Sequence, residues 1–277
     1  MLKARVITAL ILLAGLLAAL FLLPALGWLL FASLVCFGAA LEWGTMVGFG
    51  TGRRRLYAAL LGLICLAGGL VGGLHLPGVV APFALAPIYG LSALFWICCV
   101  PFWLRSRWKL PGAGAAALVG FVLLVPPSLA IAHLRLLSPW LLLGVMAAVW
   151  VADIAAYFTG RAFGRRKLAP SISPGKSWEG AYGAVAGVCA YGLACLSYIG
   201  YPVAEPGKLV LALVGLVAFT AVSIIGDLFE SLVKRQAGVK DSGTLLPGHG
   251  GVLDRIDSML STLPLAGMTL LFWQVFQ

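Results

Sequence analysis

The sequence predicts an all-α polytopic integral membrane protein of about nine transmembrane helices, and three observations lead there. Of 277 residues, 62% are hydrophobic and only 10% are charged. Mean hydropathy is +1.05. Apolar runs of about 20 residues, the length that crosses the hydrocarbon of a bilayer as a helix, recur along the whole chain. A water-soluble domain of this length has too little interior for so much apolar surface. The strict alternation of an outer-membrane barrel strand is absent.

The expected spans fall near 5–23, 25–45, 56–74, 80–104, 113–132, 138–158, 179–201, 208–230 and 258–276. Lys3 and Arg5 ahead of the first run resemble the start of a signal peptide, but no small-residue cleavage site follows before Trp28, so this run reads as a retained span. Charge sets the orientation. With the N-terminus in the cytoplasm, the inner side holds Lys3 and Arg5; Arg53, Arg54 and Arg55; Arg105, Arg107 and Lys109; Arg161, Arg165, Arg166, Lys167 and Lys176; and Lys234, Arg235, Lys240 and Arg255. Only Arg135 and Lys208, of 19 Lys and Arg residues, fall on the other side, which predicts a C-terminus outside. The net charge of +10 is therefore a consequence of topology beside an anionic leaflet and calls for no nucleic acid. All six cysteines lie in apolar runs without metal-ligand spacing and read as packing residues. Many of the 35 glycines sit inside spans, as close helix packing in a bilayer requires.

The chain divides by character into residues 1–135, scaffold helices, and residues 136–277, a catalytic region with cytoplasmic loops at 160–178 and 232–256. Glu42 is the only acidic residue of the first part. In the second, Asp153, Glu179, Asp227, Glu230, Asp241, Asp254 and Asp257 all map to the inner ends of spans or to the loops there. A lone juxtamembrane acid is usually just a surface ion pair, worth about 0–1 kcal/mol. Seven acids gathered on one face instead point to a site, because ionised groups at the hydrocarbon boundary must be paired, wetted or bound to a cation.

The first polar loop reads GRAFGRRKLAPSISPGKSWEG. Its glycines and Pro170 and Pro174 forbid a continuous helix and leave backbone N–H groups for anions, among five basic side chains and Ser171, Ser173 and Ser177. Gly175, Lys176 and Ser177 match the end of a P-loop, but Pro170 stands where its first glycine belongs and no buried parallel strand precedes it, so a P-loop fold is excluded. Asp153 and Tyr157 share a helix face just upstream; Asp153 either orients a lysine or nucleotide hydroxyl, or is a carboxylate hydrogen-bonded to a neighbouring helix.

The second loop carries more. Ser223, Asp227, Glu230 and Lys234 form one stripe of the eighth span. The chain then turns through KRQAGVKDSGTLLPGHGGVLDRID, with four Lys and Arg residues, His249, Asp241, Asp254 and Asp257. Asp254 and Asp257, three apart, project from one side of the last helix and could face Asp227. Oxygen ligands beside phosphate-binding positive charges favour magnesium, and one histidine without a loop cysteine argues against zinc.

The run SIIGDLFESLVKRQAGVKDSGTLLPGHGGVLDRID, with DIAAYFTGRAFGRRKLAPSISPGKSWEG before it, resembles the signature of bacterial phosphatidate cytidylyltransferases, also called CDP-diacylglycerol synthases. The likeness covers about 65 residues; the N-terminal half adds only hydropathy. It implies a membrane enzyme that converts CTP and phosphatidic acid to CDP-diacylglycerol and pyrophosphate on the cytoplasmic side of the bacterial inner membrane, with magnesium, with potassium as an additional ion, and as a homodimer. The positions matching the family's metal-binding aspartates are Asp227 and Asp254, and Asp257 stands next to them. Lys234, Arg235, Lys240 and Arg255 are then the expected phosphate contacts, with Ser173, Lys176, Ser177 and Glu179 closing from the other loop. Asp241 and Asp257 either support a ligand or orient a basic partner, and His249 either touches phosphate or caps its loop. Two other classes fit less well. A secondary transporter places polar groups near the midplane and repeats its halves. CDP-alcohol phosphotransferases use a longer aspartate pattern than DRID. A cytidylyltransferase for another lipid phosphate stays open, since the signature reads nucleotide and metal better than acyl chains.

Overall fold

The computed structural model describes residues 2–245 and 250–275. Among them are nine helices: α1 (Leu2–Leu22), α2 (Ala25–Met46), α3 (Thr51–Val71), α4 (Pro82–Ser106), α5 (Ala113–Leu137), α6 (Pro139–Phe163), α7 (Trp178–Tyr198), α8 (Pro206–Gln236) and α9 (Leu253–Val275). Each coincides with one expected span. The seven from α2 to α8 are long and apolar enough to cross a membrane. The apolar part of α1 is the shorter Leu10–Leu22, and α9 opens on Asp254, Arg255 and Asp257 before its apolar stretch. Helix α8, at 31 residues, runs a turn and a half past its predicted end, so Lys234 and Arg235 stand on a rigid helix and not in a loop.

Helix α5 lies at the centre, with 72% of its apolar window buried, and α2, α3, α4, α6 and α9 pack around it. Aromatic groups pin it by donating to its carbonyls. Trp43 Nε1 reaches Ala116 O at 2.9 Å, Tyr57 Oη reaches Ala117 O at 2.8 Å, and Trp28 Nε1 reaches Ile131 O at 3.1 Å. In hydrocarbon such polar tips have no water to fall back on, so each bond also fixes a register between helices. Arg135, one of the two basic residues left over by the charge segregation, is accounted for here. Its guanidinium donates to Leu20 O at 3.1 Å and to Leu23 O, closing the C-terminal end of α1, and lies over the Trp28 ring.

Helix α4 contains a π-helical turn at Phe95–Cys99, in which Val100 N–H donates to Phe95 O, five residues back. Pro101 follows directly and has no N–H to continue an α-helical ladder, which is the physical reason for a bulge there. The turn packs Phe95 and Trp96 edge-on against Phe229 of α8, at 5.7 and 5.8 Å between ring centres, with Trp103 at 5.5 Å on another side. Helix α8 is thereby anchored at the residue next to Glu230.

Helices α6 and α7 meet through small residues. A side chain added at Gly187 would lie 2.9 Å from the Ala155 methyl, and one at Gly183 would collide with Thr159. Between these helices the segment read as a loop forms a hairpin instead: β1 (Lys167–Ala169) pairs antiparallel with β2 (Ser173–Ser177), Lys167 opposite Ser177 and Ala169 opposite Ser173. No alternation announces it, because Pro170 and Pro174 fall in the turn and at a strand position with no hydrogen bond to give.

Candidate active site

The two polar loops meet at one end of the bundle. Ser177 caps α7, its Oγ accepting from Gly180 N–H at 3.2 Å. Two residues on, in the first turn, Glu179 accepts from the backbone N–H of Arg165 at 3.0 Å and of Arg166 at 3.2 Å, and its carboxylate lies 3.6 Å from the Arg166 guanidinium. These two residues, expected to contact substrate, hold the base of the hairpin to the helix that follows. The hairpin turn is seated by Ile172, buried against Leu228 and Leu232 of α8. That contact carries Lys176 across to α8, where its Nζ pairs with Asp227 Oδ2. Asp227 Oδ1 accepts from Ser231 Oγ at 3.3 Å. The first loop thus delivers a cation onto the stripe of the second, and Ser173 lies half-buried on the same strand.

Lys234 is the second junction. Its Nζ lies 2.6 Å from Glu230 Oε2, one turn back on α8, and 2.8 Å from Asp254 Oδ1 on α9. Asp254 Oδ2 accepts from Ser242 N–H at 2.9 Å, Ser242 Oγ at 3.0 Å and Gly251 N–H at 2.8 Å. Asp254 therefore ties α8, the loop and the start of α9 together. Asp257 sits one turn deeper, its Oδ1 accepting from Ser258 N–H at 2.7 Å. It feels the charges of Asp227, Glu230 and Asp153, and Asp153 in turn feels Asp227 and Lys176. Gly226 makes this proximity possible, since a Cβ there would lie 2.9 Å from Asp257 O and strike Ser261 Oγ. Ser261 completes the contact by donating to Val222 O at 2.9 Å.

Arg235, Lys240, Asp241 and Arg255 are exposed around this cluster. His249 lies outside the described residues. Tyr157, paired with Asp153 by spacing, accepts from Arg161 Nη1 at 3.0 Å. Glu42 of α2 was missed as a site residue: its carboxylate reaches the second loop, accepting from Val252 N–H at 2.8 Å, Leu253 N–H at 2.9 Å and Ser242 Oγ at 3.0 Å. Its isolation as the single acid of the first half was the only available signal.

The expected metal set of Asp227, Asp254 and Asp257 does not form a preassembled cage. Among the described residues no three His, Cys, Asp or Glu side chains converge as metal ligands. Asp254 already accepts four donated contacts, and Lys176 covers one oxygen of Asp227. The charge balance nevertheless fits a cation shared with a substrate. Among the described residues the carboxyl groups of Asp153, Asp227, Glu230, Asp254 and Asp257 crowd together, with Lys176 paired to Asp227 and Lys234 set between Glu230 and Asp254. An ion held by one or two carboxylates and completed by phosphate oxygens and water is how magnesium is usually bound, and it needs no cage.

A family model described as "Cytidylyltransferase family" matches residues 3–273. The chain is 42% identical to the phosphatidate cytidylyltransferase of Pseudomonas aeruginosa over 275 residues, 95% of both chains. It is 35% identical to that of Haemophilus influenzae over 291 aligned residues, 95% of this chain and 96% of the relative. With the protein of the same name from Thermotoga maritima the likeness is 40% over 131 residues, 44% of this chain.

Proposed function

The chain belongs to the cytidylyltransferase family, and from that premise we propose how it works at the junction of its two polar loops. It is a nucleotidyltransferase of phospholipid biosynthesis, embedded in the membrane by its apolar helices, and it transfers CMP from CTP to phosphatidic acid, giving CDP-diacylglycerol and pyrophosphate. The observation that carries this reading is the likeness over 95% of both chains. Its counterpart in three dimensions is the pairing of Lys176 with Asp227, which joins the two segments of the signature.

In the proposed step, a phosphate oxygen of phosphatidic acid attacks the α-phosphorus of CTP. A new P–O bond forms while the bond to the α,β-bridging oxygen breaks, and its electron pair departs with pyrophosphate. The nucleophile is already anionic near neutral pH, so no general base is required and positioning and charge neutralisation do the work. Lys176 and Lys234 balance the buried acids and hold them in place. Arg235, Lys240 and Arg255, exposed at the rim, are assigned to the phosphates, where forked or multiple N–H donors suit oxyanions. Ser173 on β2 adds a hydroxyl. Asp227 and Asp254, with Asp257 beside them, are the residues proposed to hold magnesium, which when bound would neutralise charge on the transferring phosphoryl group. An additional potassium ion and a homodimer rest on the family resemblance alone. The site faces the cytoplasm in this reading, which the clustering of basic residues at the same end supports. The acyl chains stay in the bilayer while the headgroup enters between helices.

Purified protein in mixed micelles, given labelled CTP and phosphatidic acid, is expected to form CDP-diacylglycerol and release one pyrophosphate per product. ATP, dCTP and other lipid phosphates run in parallel define the substrates. Conversion of another lipid phosphate with none of phosphatidic acid would replace the proposed acceptor.

A further inference from the structure

Glu42 belongs by sequence to the scaffold half, yet it is 7% exposed and, among the described residues, the hydrogen bonds given to it come from residues at least 200 positions away. A buried carboxylate persists only where donors replace its water. Here Oε1 takes the N–H of Val252, and Oε2 takes the N–H of Leu253 and the hydroxyl of Ser242. Leu253 opens α9 and Val252 directly precedes it, so Glu42 caps that helix from another element, where the unpaired N–H groups and the helix dipole both favour an anion.

The contact continues into the site. Ser242, 3% exposed, donates its N–H to Asp254, and its hydroxyl oxygen lies 3.0 Å from both Glu42 Oε2 and Asp254 Oδ2, so one O–H proton is shared between two carboxylates. The loop is shaped to admit this carboxylate. A Cβ at Gly243 would lie 2.8 Å from Glu42 Oε1, and one at Gly251 would collide with Glu42 Oε2 and Ser242 Oγ. Two glycines of the signature thus have a packing reason that involves no phosphate.

We infer that Glu42 is a positioning residue of the transfer reaction: acting through Ser242 and the first N–H groups of α9, it sets the placement of Asp254. The inference rests on the proposed function for its kinetic consequence, whereas its structural half stands by itself. Glu42 touches no reacting atom. An amide at this position keeps the shape but has one oxygen in place of two, so in either orientation the N–H of Val252 or of Leu253 loses its acceptor.

The test compares Glu42→Gln, Ser242→Ala and the double variant in the whole protein, with Trp28→Phe as a control at the other end of α2 that loses its buried bond to Ile131 of α5. Amide exchange of Val252 or Leu253, whichever loses its acceptor, is expected to accelerate about tenfold or more in Glu42→Gln and to stay near wild type in Trp28→Phe. In turnover of CTP and phosphatidic acid, kcat should fall about 10- to 100-fold in Glu42→Gln and less in Ser242→Ala. The double variant should be no worse than Glu42→Gln, since both changes break one linkage. Should Glu42→Gln fail to accumulate in membranes, Ser242→Ala carries the test, because it spares the α9 cap and the backbone bond to Asp254 and removes only the hydroxyl bridge between Glu42 and Asp254. Unchanged exchange at both Val252 and Leu253, multiplicative losses in the double variant, or an equal kcat loss in Trp28→Phe would each overturn the inference. If wild-type protein makes no CDP-diacylglycerol, the proposed function fails while the exchange measurement still reads this contact.

Discussion

Lysine at two positions holds the site together, and the two are not equivalent. Lys234 lies between the nearly inaccessible Glu230 and Asp254. Replacing it with Met strands two buried carboxylates, which costs about 3–5 kcal/mol when one partner of a buried pair is removed. Lys234→Met is therefore expected to lower the thermal unfolding midpoint in detergent as well as turnover, and Lys234→Met/Glu230→Gln to recover part of the midpoint and none of the turnover. Lys176 and Asp227 are each about a quarter exposed, so Lys176→Met should leave the midpoint within experimental scatter and lower kcat. Asp227→Asn and Asp254→Asn are expected to cut CTP-dependent product formation about 100-fold or more, by analogy with loss of a group that stabilises transition-state charge. Near-normal turnover at ordinary magnesium in both would remove them from the metal assignment. The stripe Ser223, Asp227, Glu230, Lys234 is legible in the chain because helical spacing alone puts these residues on one face. The partners of the stripe are not legible, since nothing local to Lys176 or Glu42 says which distant carboxylate or N–H group it will meet.

At the scale of elements, the site depends on how closely α8 and α9 approach. Gly226 sits where a side chain would strike α9 backbone at Asp257 O. Gly226→Val should separate the helices and abolish turnover with protein still present in the membrane, whereas Gly215→Val, at a position on the same helix with open space around it, should be tolerated. Phe229, buried among Phe95, Trp96 and Trp103, fixes α8 from behind. Its replacement by Ala is expected to cost about 3 kcal/mol of stability, seen as a lower unfolding midpoint in detergent. Apolar length and glycine-proline punctuation are enough to locate the nine described helices, with ends off by up to six residues. They fail for the hairpin at Lys167–Ser177, which is held by Glu179 and by Ile172 against α8 and not by any strand propensity of its own.

For the whole molecule, the basic residues and the acid cluster gather at one end, while Arg135 closes α1 at the other. Single cysteines introduced at Lys240 and Lys208 in a cysteine-free background should be labelled from opposite sides of the membrane, Lys240 from the cytoplasm; labelling of both from one side would refute the proposed orientation. Composition and apolar run length by themselves determined that this chain is a bundle of membrane helices, and the two polar segments with their fixed residues determined its family. Both are properties of contiguous sequence, where hydrophobic length and short-range spacing act directly. The tertiary structure alone decided that Lys176 meets Asp227, that Asp254 is organised by four donors, and that Glu42 reaches from the scaffold half into the second loop. The contact of Lys176 joins residues 51 positions apart and those of Glu42 join residues 200 to 211 apart, and they exist because glycines let particular segments come close enough for buried charges to meet.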